Sequence, residues 1–284
     1  MKKLWPLLKF LGIFSYQIRN NFKGFIWEED GTPAGLATIH NQGKDEWLVG
    51  NIGVLPEYRR RGIARKLFNH CLAYFEQQNC KRVYLQVIDG NTPAYLLYKD
   101  LGFEDYTGNC DMEHMGDKNI QPLPLPDGYE EKILGQYDWQ TRYQHAMMIT
   151  PDHVTKYSPI REKDFKIDFL KRIIIPLMDK AQGISRASFV YHDKATGKIA
   201  GRITAGLRTR EGGVINAFIR LTPGHEALGD YLMNKILYLC ATQSPDRRFS
   251  LDLPIWQKDA VSAAERAGFT TRVKFREMAL MMKE

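Results

Sequence analysis

The chain has 284 residues, of which 44% are hydrophobic and 26% are charged, as in ordinary soluble globular proteins. This length predicts two domains. The formal net charge of +7 favours acidic ligands. The basic residues are spread along the chain and form no long basic tail, which disfavours nucleic acid as the partner. No apolar run reaches the roughly 18 residues of a membrane span, so no membrane segment is predicted.

Residues 1–11 combine lysines with apolar residues, as a signal peptide does. Pro6 and Lys9 interrupt that apolar stretch, and no small-residue cleavage site follows it. The pattern predicts a short amphipathic helix that packs on the first domain.

The cysteines form no C-x-x-C pair, which disfavours a zinc site or a redox pair. Cys71 and Cys240 lie on apolar faces of predicted helices, where they are expected to be plain core residues. We therefore predict no metal and a reducing, cytoplasmic location.

The first half of the chain alternates strands and helices. Asp30-Gly31 is a turn signal between two strands, which predicts a hairpin. Ile63, Leu67, Cys71 and Phe75 recur at helical spacing and predict one buried face. The predicted elements are strands at 22–27, 33–40, 46–55 and 83–87, helices at 63–78 and 93–100, and one or two further strands up to residue 115.

Residues 54–64 connect a strand end to a helix start through a basic loop, Arg59-Arg60-Arg61-Gly62. A helix N-terminus carries unpaired N–H donors and a partial positive charge, so it attracts anions. Gly62 lacks the side chain that would keep a ligand at a distance. Three consecutive arginines are more often a solvated face, but this combination predicts capture of a phosphate or pyrophosphate.

Two ordered motifs resemble the signatures of the GNAT superfamily of N-acetyltransferases. Arg59-x-x-Gly62-x-Ala64 resembles the family's R/Q-x-x-G-x-G/A loop. The stretch from Asn91 to Phe103 resembles its N-x-x-A-x-x-L-Y-x-x-x-G-F signature. The resemblance implies a fold of class α/β (α+β), with two tandem GNAT-like domains, each a mixed, mostly antiparallel sheet flanked by helices.

The resemblance also implies the cofactor, acetyl-coenzyme A, and the residues that hold it. In the family, the strand before the loop splays from its neighbour, and the pantetheine arm pairs with the exposed backbone. Arg59 and Arg61 are the side chains expected to contact the pyrophosphate. The remaining expected contacts are the main chain of Gly53, Val54 and Leu55, the backbone N–H groups of Arg60, Arg61, Gly62, Ile63 and Ala64, and the side chain of Asn91.

Tyr98 matches the family's general acid, which protonates the departing thiolate. A thiol titrates near pH 8.5 and a tyrosine near pH 10, so this proton transfer is feasible. Without the surrounding signature, Tyr98 would be read as a core aromatic residue. The general base is open: the family's strand glutamate falls near Leu48, which makes Glu46 and His40 the candidates.

Alternating prolines in residues 116–128 predict an extended linker. The predicted domains are therefore 1–115 and 129–284. The second half repeats the apolar pattern of the first at an offset of 165 in the strand and helix around the loop, and of 166 further on. At these offsets the functional residues are lost, with Gly224, Ala227, Gln257 and Ala264 in place of Arg59, Gly62, Asn91 and Tyr98.

The second half is thus predicted to be a degenerate GNAT-like domain that no longer binds the cofactor. Residues 129–180 leave room there for an extra strand and helices, which the first half lacks. The first domain is therefore expected either to be natively trimmed or to obtain the missing strand and helix from the second domain or from a partner chain, as in a homodimer.

The sequence therefore predicts transfer of an acetyl group to a primary amine of a small molecule or peptide. A noncatalytic module that binds acyl-coenzyme A and regulates a partner is the main alternative, and retention of Tyr98 favours the enzyme. Nucleic-acid binding through the arginine loop is disfavoured, because Tyr58 is the one stacking aromatic among those arginines.

Overall fold

The computed structural model describes residues 21–43, 45–117, 119–208, 215–243 and 248–282. The helix predicted at residues 1–11 lies outside them. The described residues form two compact units. Unit 1 contains the residues up to Tyr106 and those from Arg276 onwards, and unit 2 is Thr107–Phe275.

Unit 1 begins with the predicted hairpin. Asp30 and Gly31 have φ angles of 50° and 73°, the pair of positive values that a tight two-residue hairpin turn requires. The elements are β1 (Phe22–Glu29), β2 (Thr32–Gly43), β3 (Glu46–Val54), a 3-10 turn (Pro56–Tyr58), α1 (Ile63–Gln77), β4 (Arg82–Ile88) and α2 (Thr92–Asp100).

The strands of unit 1 lie in the order β1-β2-β3-β4. The first two pairs are antiparallel, and β3 and β4 are parallel. The predicted face of α1 is buried against this sheet, together with Phe68. Residues from Arg276 onwards, at the end of the chain, border β4. The last strand of unit 1 is therefore contributed from far along the sequence.

The remaining elements of the chain are β5 (Glu104–Met115), β6 (Tyr129–Ile133), α3 (Trp139–Ile149), α4 (Asp152–Thr155), α5 (Glu162–Phe165), α6 (Phe169–Gln182), β7 (Ile184–Asp193), β8 (Ile199–Arg208), β9 (Ile215–Leu221), α7 (Glu226–Gln243), β10 (Arg248–Pro254), α8 (Lys258–Arg266) and β11 (Thr270–Met281). In unit 2, six of these strands lie side by side in the order β5-β10-β9-β8-β7-β6. β5 pairs antiparallel with β10 from Asn109 to Met115.

The predicted fold class is confirmed, and so are the extra strand and helices after residue 129. The division into units differs from the predicted bounds at residues 107–115 and 276–284. The linker at 116–128 stays a prediction. Part of that stretch is held to α7, since Asn234 accepts from Leu123 N at 2.8 Å and donates to Gln121 O at 2.9 Å.

The structure aligns one strand of the internal repeat differently from the sequence pattern. Leu55 N donates to Ala34 O at 3.0 Å, and Thr222 N donates to Ala200 O at 2.9 Å, so Leu55 corresponds to Thr222. The sequence pattern had matched Leu55 with Arg220, which is wrong by two positions. Strand side chains repeat every two residues, so a slip of two preserves the apolar alternation and escapes detection. Unit 2 therefore has a loop two residues shorter between strand and helix.

All four cysteines are free and buried, as a core role predicts. Among the described residues, no helix is long and apolar enough to cross a membrane. No cluster of three or more metal-ligating side chains occurs within that part of the chain.

Candidate active site

The basic loop of unit 1 turns sharply into α1. Pro56 opens the 3-10 turn, where its missing N–H has no intrahelical partner to lose. Arg60 and Gly62 both have positive φ angles, 65° and 79°. Gly62 is the N-cap of α1, and Lys66 N donates to its carbonyl at 3.0 Å. The first-turn N–H groups of α1 consequently point out of the helix beside the loop.

A cleft of about 700 Å³ opens beside this loop. Its walls are the end of β3, the loop, the start of α1 and one face of α2. The predicted cofactor residues that line it are Gly53, Val54, Arg59, Arg60, Gly62, Ile63, Ala64 and Asn91. Leu55 and Arg61 are not among its lining residues.

β3 and β4 separate at the cleft. Their parallel register runs from Glu46 to Val49, whereas β2 stays paired with β3 as far as Val54. A register shift between Thr38 and Ile39 leaves Gly50 as the extra residue of a bulge. Bulges bend a strand and increase its local twist. The edge of β3 that faces β4 therefore offers backbone groups after Val49, in the manner of an open sheet edge.

The three arginines of the loop have different positions. Arg59 Nε donates to Val54 O at 3.1 Å, which fixes its side chain along the strand end. Arg61 donates to Glu57 O at 3.0 Å and lies over the Tyr58 ring at 5.2 Å. Arg59 and Arg60 line the cleft and Arg61 does not. Of the three loop arginines, the first two therefore contribute positive charge to the cleft.

One face of α2 forms the far wall of the cleft. Asn91 is its N-cap, and Oδ1 of this residue accepts from Ala94 N at 3.4 Å. Ala94, Leu97 and Tyr98 follow along the same side, since residues three or four apart share a helix face. The spacing of the second sequence signature is thus the spacing of cleft-lining positions.

Tyr98 is only 8% exposed, although it lines the cleft. Its ring centroid lies 5.4 Å from that of Phe68 and 6.2 Å from that of Phe103. Burial raises the pKa of the Tyr98 hydroxyl above its ordinary value. The hydroxyl is therefore protonated at neutral pH and can donate a proton into the cleft.

The two candidate bases have different surroundings. Glu46 is buried, lies 2.6 Å from Arg82 Nη2 and does not line the cleft. It stands eight residues before Val54, about 26 Å away along an extended strand. His40 lies beside the bulge, because a Cβ placed on Gly50 would be 2.7 Å from its Nε2. Neither His40 nor Glu46 is among the residues that line the cleft.

Sequence reasoning did not identify several residues that line the cleft: Ile52, Tyr58, Arg65, Pro93 and Leu97. Leu97 and Pro93 could have been found, because they stand on the same helix turns as Asn91 and Tyr98. Tyr58 and Arg65 carried no comparable signal, since the turn that brings them to the cleft depends on the φ angles of Arg60 and Gly62.

Residues 3–103 match the acetyltransferase (GNAT) family. That stretch, about a third of the chain, is therefore similar to the GNAT family. Ribosomal protein bS18-alanine N-acetyltransferase of Escherichia coli (strain K12) is 36% identical over 90 residues, which are 32% of this chain. Those residues are 54% of that protein, so the match spans about half the length of the relative.

Solved structures of GNAT proteins share the fold over about nine tenths of this chain. A GCN5-related N-acetyltransferase from Sphaerobacter thermophilus has a TM-score of 0.61 at 14% identity, covering 90% of this chain and 79% of that one. A tandem GNAT protein from the clavulanic acid biosynthesis pathway has a TM-score of 0.57 at 16% identity, covering 93% and 83%. These likenesses confirm the tandem GNAT fold, and the loss of function in the second half stays a prediction.

Proposed function

We propose that unit 1 is an N-acetyltransferase that moves the acetyl group of acetyl-coenzyme A to a primary amine. The observation that carries this proposal is the cleft beside the basic loop of unit 1. It joins an anion-attracting helix start, an open strand edge and a protonated tyrosine. Each of these features serves a different part of one donor molecule.

In this proposal the pyrophosphate lies against the backbone N–H groups of residues 60–64 and beside Arg59 and Arg60. The pantetheine arm extends along Gly53 and Val54 as an additional strand would. Asn91, whose Oδ1 is directed to Ala94 N, presents its amide to that arm. Gly53 suits this role because a Cβ there would meet nothing within 4 Å, so the space beside it is open.

The chemical step is direct attack of a neutral amine on the thioester carbonyl carbon. A C–N bond forms and the C–S bond breaks, and the thiolate of coenzyme A leaves with the bonding electron pair. Tyr98 donates its proton to that sulfur, and the proton lost by the amine passes to a base. We propose His40 for the base, with Glu46 as the second candidate, and a bridging water as the path.

The acceptor amine must lose a proton before it can attack. A lysine-type ammonium with a pKa near 10.4 costs roughly 4.6 kcal/mol to deprotonate at pH 7, whereas an α-amine near pKa 8 costs about 1.4 kcal/mol. The Escherichia coli relative is named for an alanine of a ribosomal protein. We therefore propose that α-amines of peptides are the acceptors to try first, ahead of small primary amines. The free, buried cysteines fit the cytoplasmic location that we propose.

The proposal is tested by measuring thiol release from acetyl-coenzyme A with a panel of peptide and small-molecule amines. We expect at least one amine to accelerate release, and Tyr98→Phe to abolish most of that acceleration. Tight binding of acetyl-coenzyme A without turnover across the panel, and without acetyl-coenzyme A hydrolysis, would favour a noncatalytic acyl-coenzyme A module instead.

A further inference from the structure

Unit 2 contains a cluster of cationic side chains on the sheet face away from its core. Arg202 of β8 and Arg220 of β9 are directly paired across the two antiparallel strands. Their neighbours Ile203 and Ile219 are buried in the core under α7, so the two arginines point to the opposite face. Directly paired residues have Cβ atoms about 5 Å apart, and like charges at that spacing repel.

Helix α3 adds two more groups to this face. His145 is fully buried, and its Nε2 lies 3.0 Å from Thr222 Oγ1, two residues after Arg220. Arg142 stands three residues earlier on the helix and donates to the carbonyl oxygens of Gly135 and Asp138 at 3.0 and 2.6 Å. Arg142, His145, Arg202 and Arg220 are called the cationic cluster below.

Two of the three arginines are partly neutralised, and Arg220 Nη1 also donates to Ile219 O at 2.7 Å. Asp252 on β10 acts on Arg220, and Asp138 acts on Arg142. Arg202 Nε is buried and has no hydrogen-bond partner in the described part of the chain. Burial, with repulsion from Arg220 and Arg142, lowers the pKa of Arg202 to about 10. A buried charge without a partner destabilises a fold, so such a site is retained at a cost.

His145 specifies the kind of anion. Thr222 Oγ1 donates its one hydrogen to Ile199 O at 2.7 Å, so it accepts from His145 Nε2. Nδ1 of His145 is then the acceptor nitrogen, and it is buried without a partner among the described residues. Burial, with the positive charges of Arg202 and Arg220, lowers the pKa of His145 to about 3, so the ring is neutral. The site therefore offers guanidinium donors and one imidazole acceptor.

We propose that the cationic cluster of unit 2 binds a hydrogen phosphate group. Its oxygens accept from Arg202 and Arg220, and its remaining hydroxyl donates to His145 Nδ1. Guanidinium groups pair with phosphate oxygens in bidentate geometry. Phe218 lies on the same face two residues before Arg220 and is 50% exposed. A phosphate monoester with an apolar or ring-bearing group could therefore place that group on Phe218.

The site is distinct from the cleft of unit 1, and the proposal does not depend on acetyl transfer. The test uses the full chain carrying Ala64→Asp, which blocks anion binding at the unit 1 loop. Thermal unfolding is measured with inorganic phosphate, with sulfate and with sodium chloride at equal ionic strength. We expect phosphate to raise the melting temperature by about 2–4 °C, and the other two salts to have smaller effects. Sulfate has no proton at neutral pH, so equal stabilisation by sulfate would contradict the role given to His145.

Arg202→Met separates a ligand site from a structural role. If the cluster is an anion site, removing the Arg202 cation leaves the ligand-free protein as stable as before, or more stable, and abolishes the phosphate response. Arg266→Met is the matched control, since Arg266 is exposed and ion-paired with Asp230 on the helical side of unit 2. This control should retain the phosphate response.

The source of the phosphate group is distinguished by a further pair of measurements. Phe218→Ala is expected to weaken binding of an aryl phosphate monoester about tenfold and to leave inorganic phosphate binding unchanged, which identifies a monoester as the ligand. An equal response of both probes identifies free phosphate. A phosphate response of the Ala64→Asp protein that persists when Arg202→Met and Arg220→Met are each added would overturn the proposal.

Discussion

The strand end that precedes the loop, β3 in unit 1 and β9 in unit 2, has different surroundings in the two units. In unit 1 the end of β3 borders an open cleft, and Asn91 at the start of α2 caps its own helix. In unit 2 the corresponding residue is Gln257, which is buried and binds the strand end directly. Gln257 Oε1 accepts from Leu221 N at 2.8 Å, and its Nε2 donates to Leu221 O at 3.0 Å. One longer amide side chain therefore occupies the backbone groups that an extended ligand would need.

Two other residues that line the cleft of unit 1 are also replaced in unit 2. Gly53, which leaves open space at the cleft, corresponds to Arg220 once the register of two residues is corrected. Tyr98 corresponds to Ala264, which is fully buried. The parallel pairing of β9 with β10 nevertheless ends at Ala217, while β9 runs on to Leu221, so the strands still separate. The prediction that unit 2 no longer binds the cofactor fits this arrangement, because Gln257 satisfies backbone groups that an extended ligand would otherwise cover.

The largest expected effect is on cofactor binding by Ala64→Asp. A carboxylate at the start of α1 opposes a pyrophosphate there, and like charges about 4 Å apart near a surface repel by about 4 kcal/mol. We expect calorimetry to show about 10³-fold weaker binding of coenzyme A. Ala227→Asp places a carboxylate at the start of α7 in unit 2, at the position that corresponds to Gly62, and should leave binding unchanged. Equal loss in both variants would contradict the difference between the units.

The next effect is on catalysis by Tyr98→Phe. The ring packing is retained and only the hydroxyl is removed, so cofactor affinity should stay within a factor of about two. A general acid contributes about 10²–10⁴-fold, and a thiolate is a fairly stable leaving group, so kcat should fall about 10²-fold. Tyr95→Phe is the control on the same helix, since its hydroxyl is directed to Asp105 at 2.9 Å.

The pH profile adds a check on the same residue. Because burial raises the pKa of the Tyr98 hydroxyl, the hydroxyl stays protonated through neutral pH and past pH 10, the ordinary pKa of tyrosine. Wild-type kcat should not decline below that pH through ionisation of this group. A decline centred between pH 7 and 9 that disappears in Tyr98→Phe would show that the hydroxyl is more acidic than the structure indicates.

A third effect falls on stability through Gln257→Leu. The leucine has a similar volume but leaves the N–H and carbonyl of Leu221 without their partners. Unpaired buried groups cost about 1–3 kcal/mol each, so the free energy of unfolding should fall by about 2 kcal/mol or more. Asn91→Ala in unit 1 removes only a helix cap, worth about 1 kcal/mol. If urea denaturation finds Asn91→Ala to be the more damaging change, the comparison of the two amides is wrong.

The smallest expected effect separates two loop arginines. Arg59→Met should weaken coenzyme A binding about tenfold, the change that about 1.4 kcal/mol produces. Arg61→Met should change it less than about threefold, because that side chain lies over Tyr58 and outside the cleft. The loss in Arg59→Met should shrink as salt is added, since exposed charges are screened. A larger effect of Arg61→Met would restore the equal roles that the sequence motif implies.

Most of unit 1 could be predicted because its signals are local. The hairpin, the apolar face of α1 and the face of α2 from Asn91 to Tyr98 depend on residues close together in sequence. The residues that border β4 from Arg276 onwards could not be predicted, because no local pattern reports which distant strand completes a sheet. The two-residue shift at Leu221 was hidden by strand alternation.

The cationic cluster of unit 2 escaped prediction for a related reason. His145, Arg202 and Arg220 come from one helix and two strands, and each has an ordinary sequence neighbourhood. Alternation along β8 and β9 could have indicated that both arginines leave the core face. Only the pairing of the two strands shows that they are neighbours.

A crystal structure of the full chain with coenzyme A shows directly which unit binds the cofactor. We expect one coenzyme A per chain, with its pyrophosphate at residues 60–64, its pantetheine arm beside Gly53 and Val54, and its sulfur within reach of the Tyr98 hydroxyl. Gln257 should remain bonded to Leu221 in the same crystal. Coenzyme A bound at residues 222–229 of unit 2, with Gln257 displaced from Leu221, would show that unit 2 is the cofactor site and that the proposal for unit 1 is wrong.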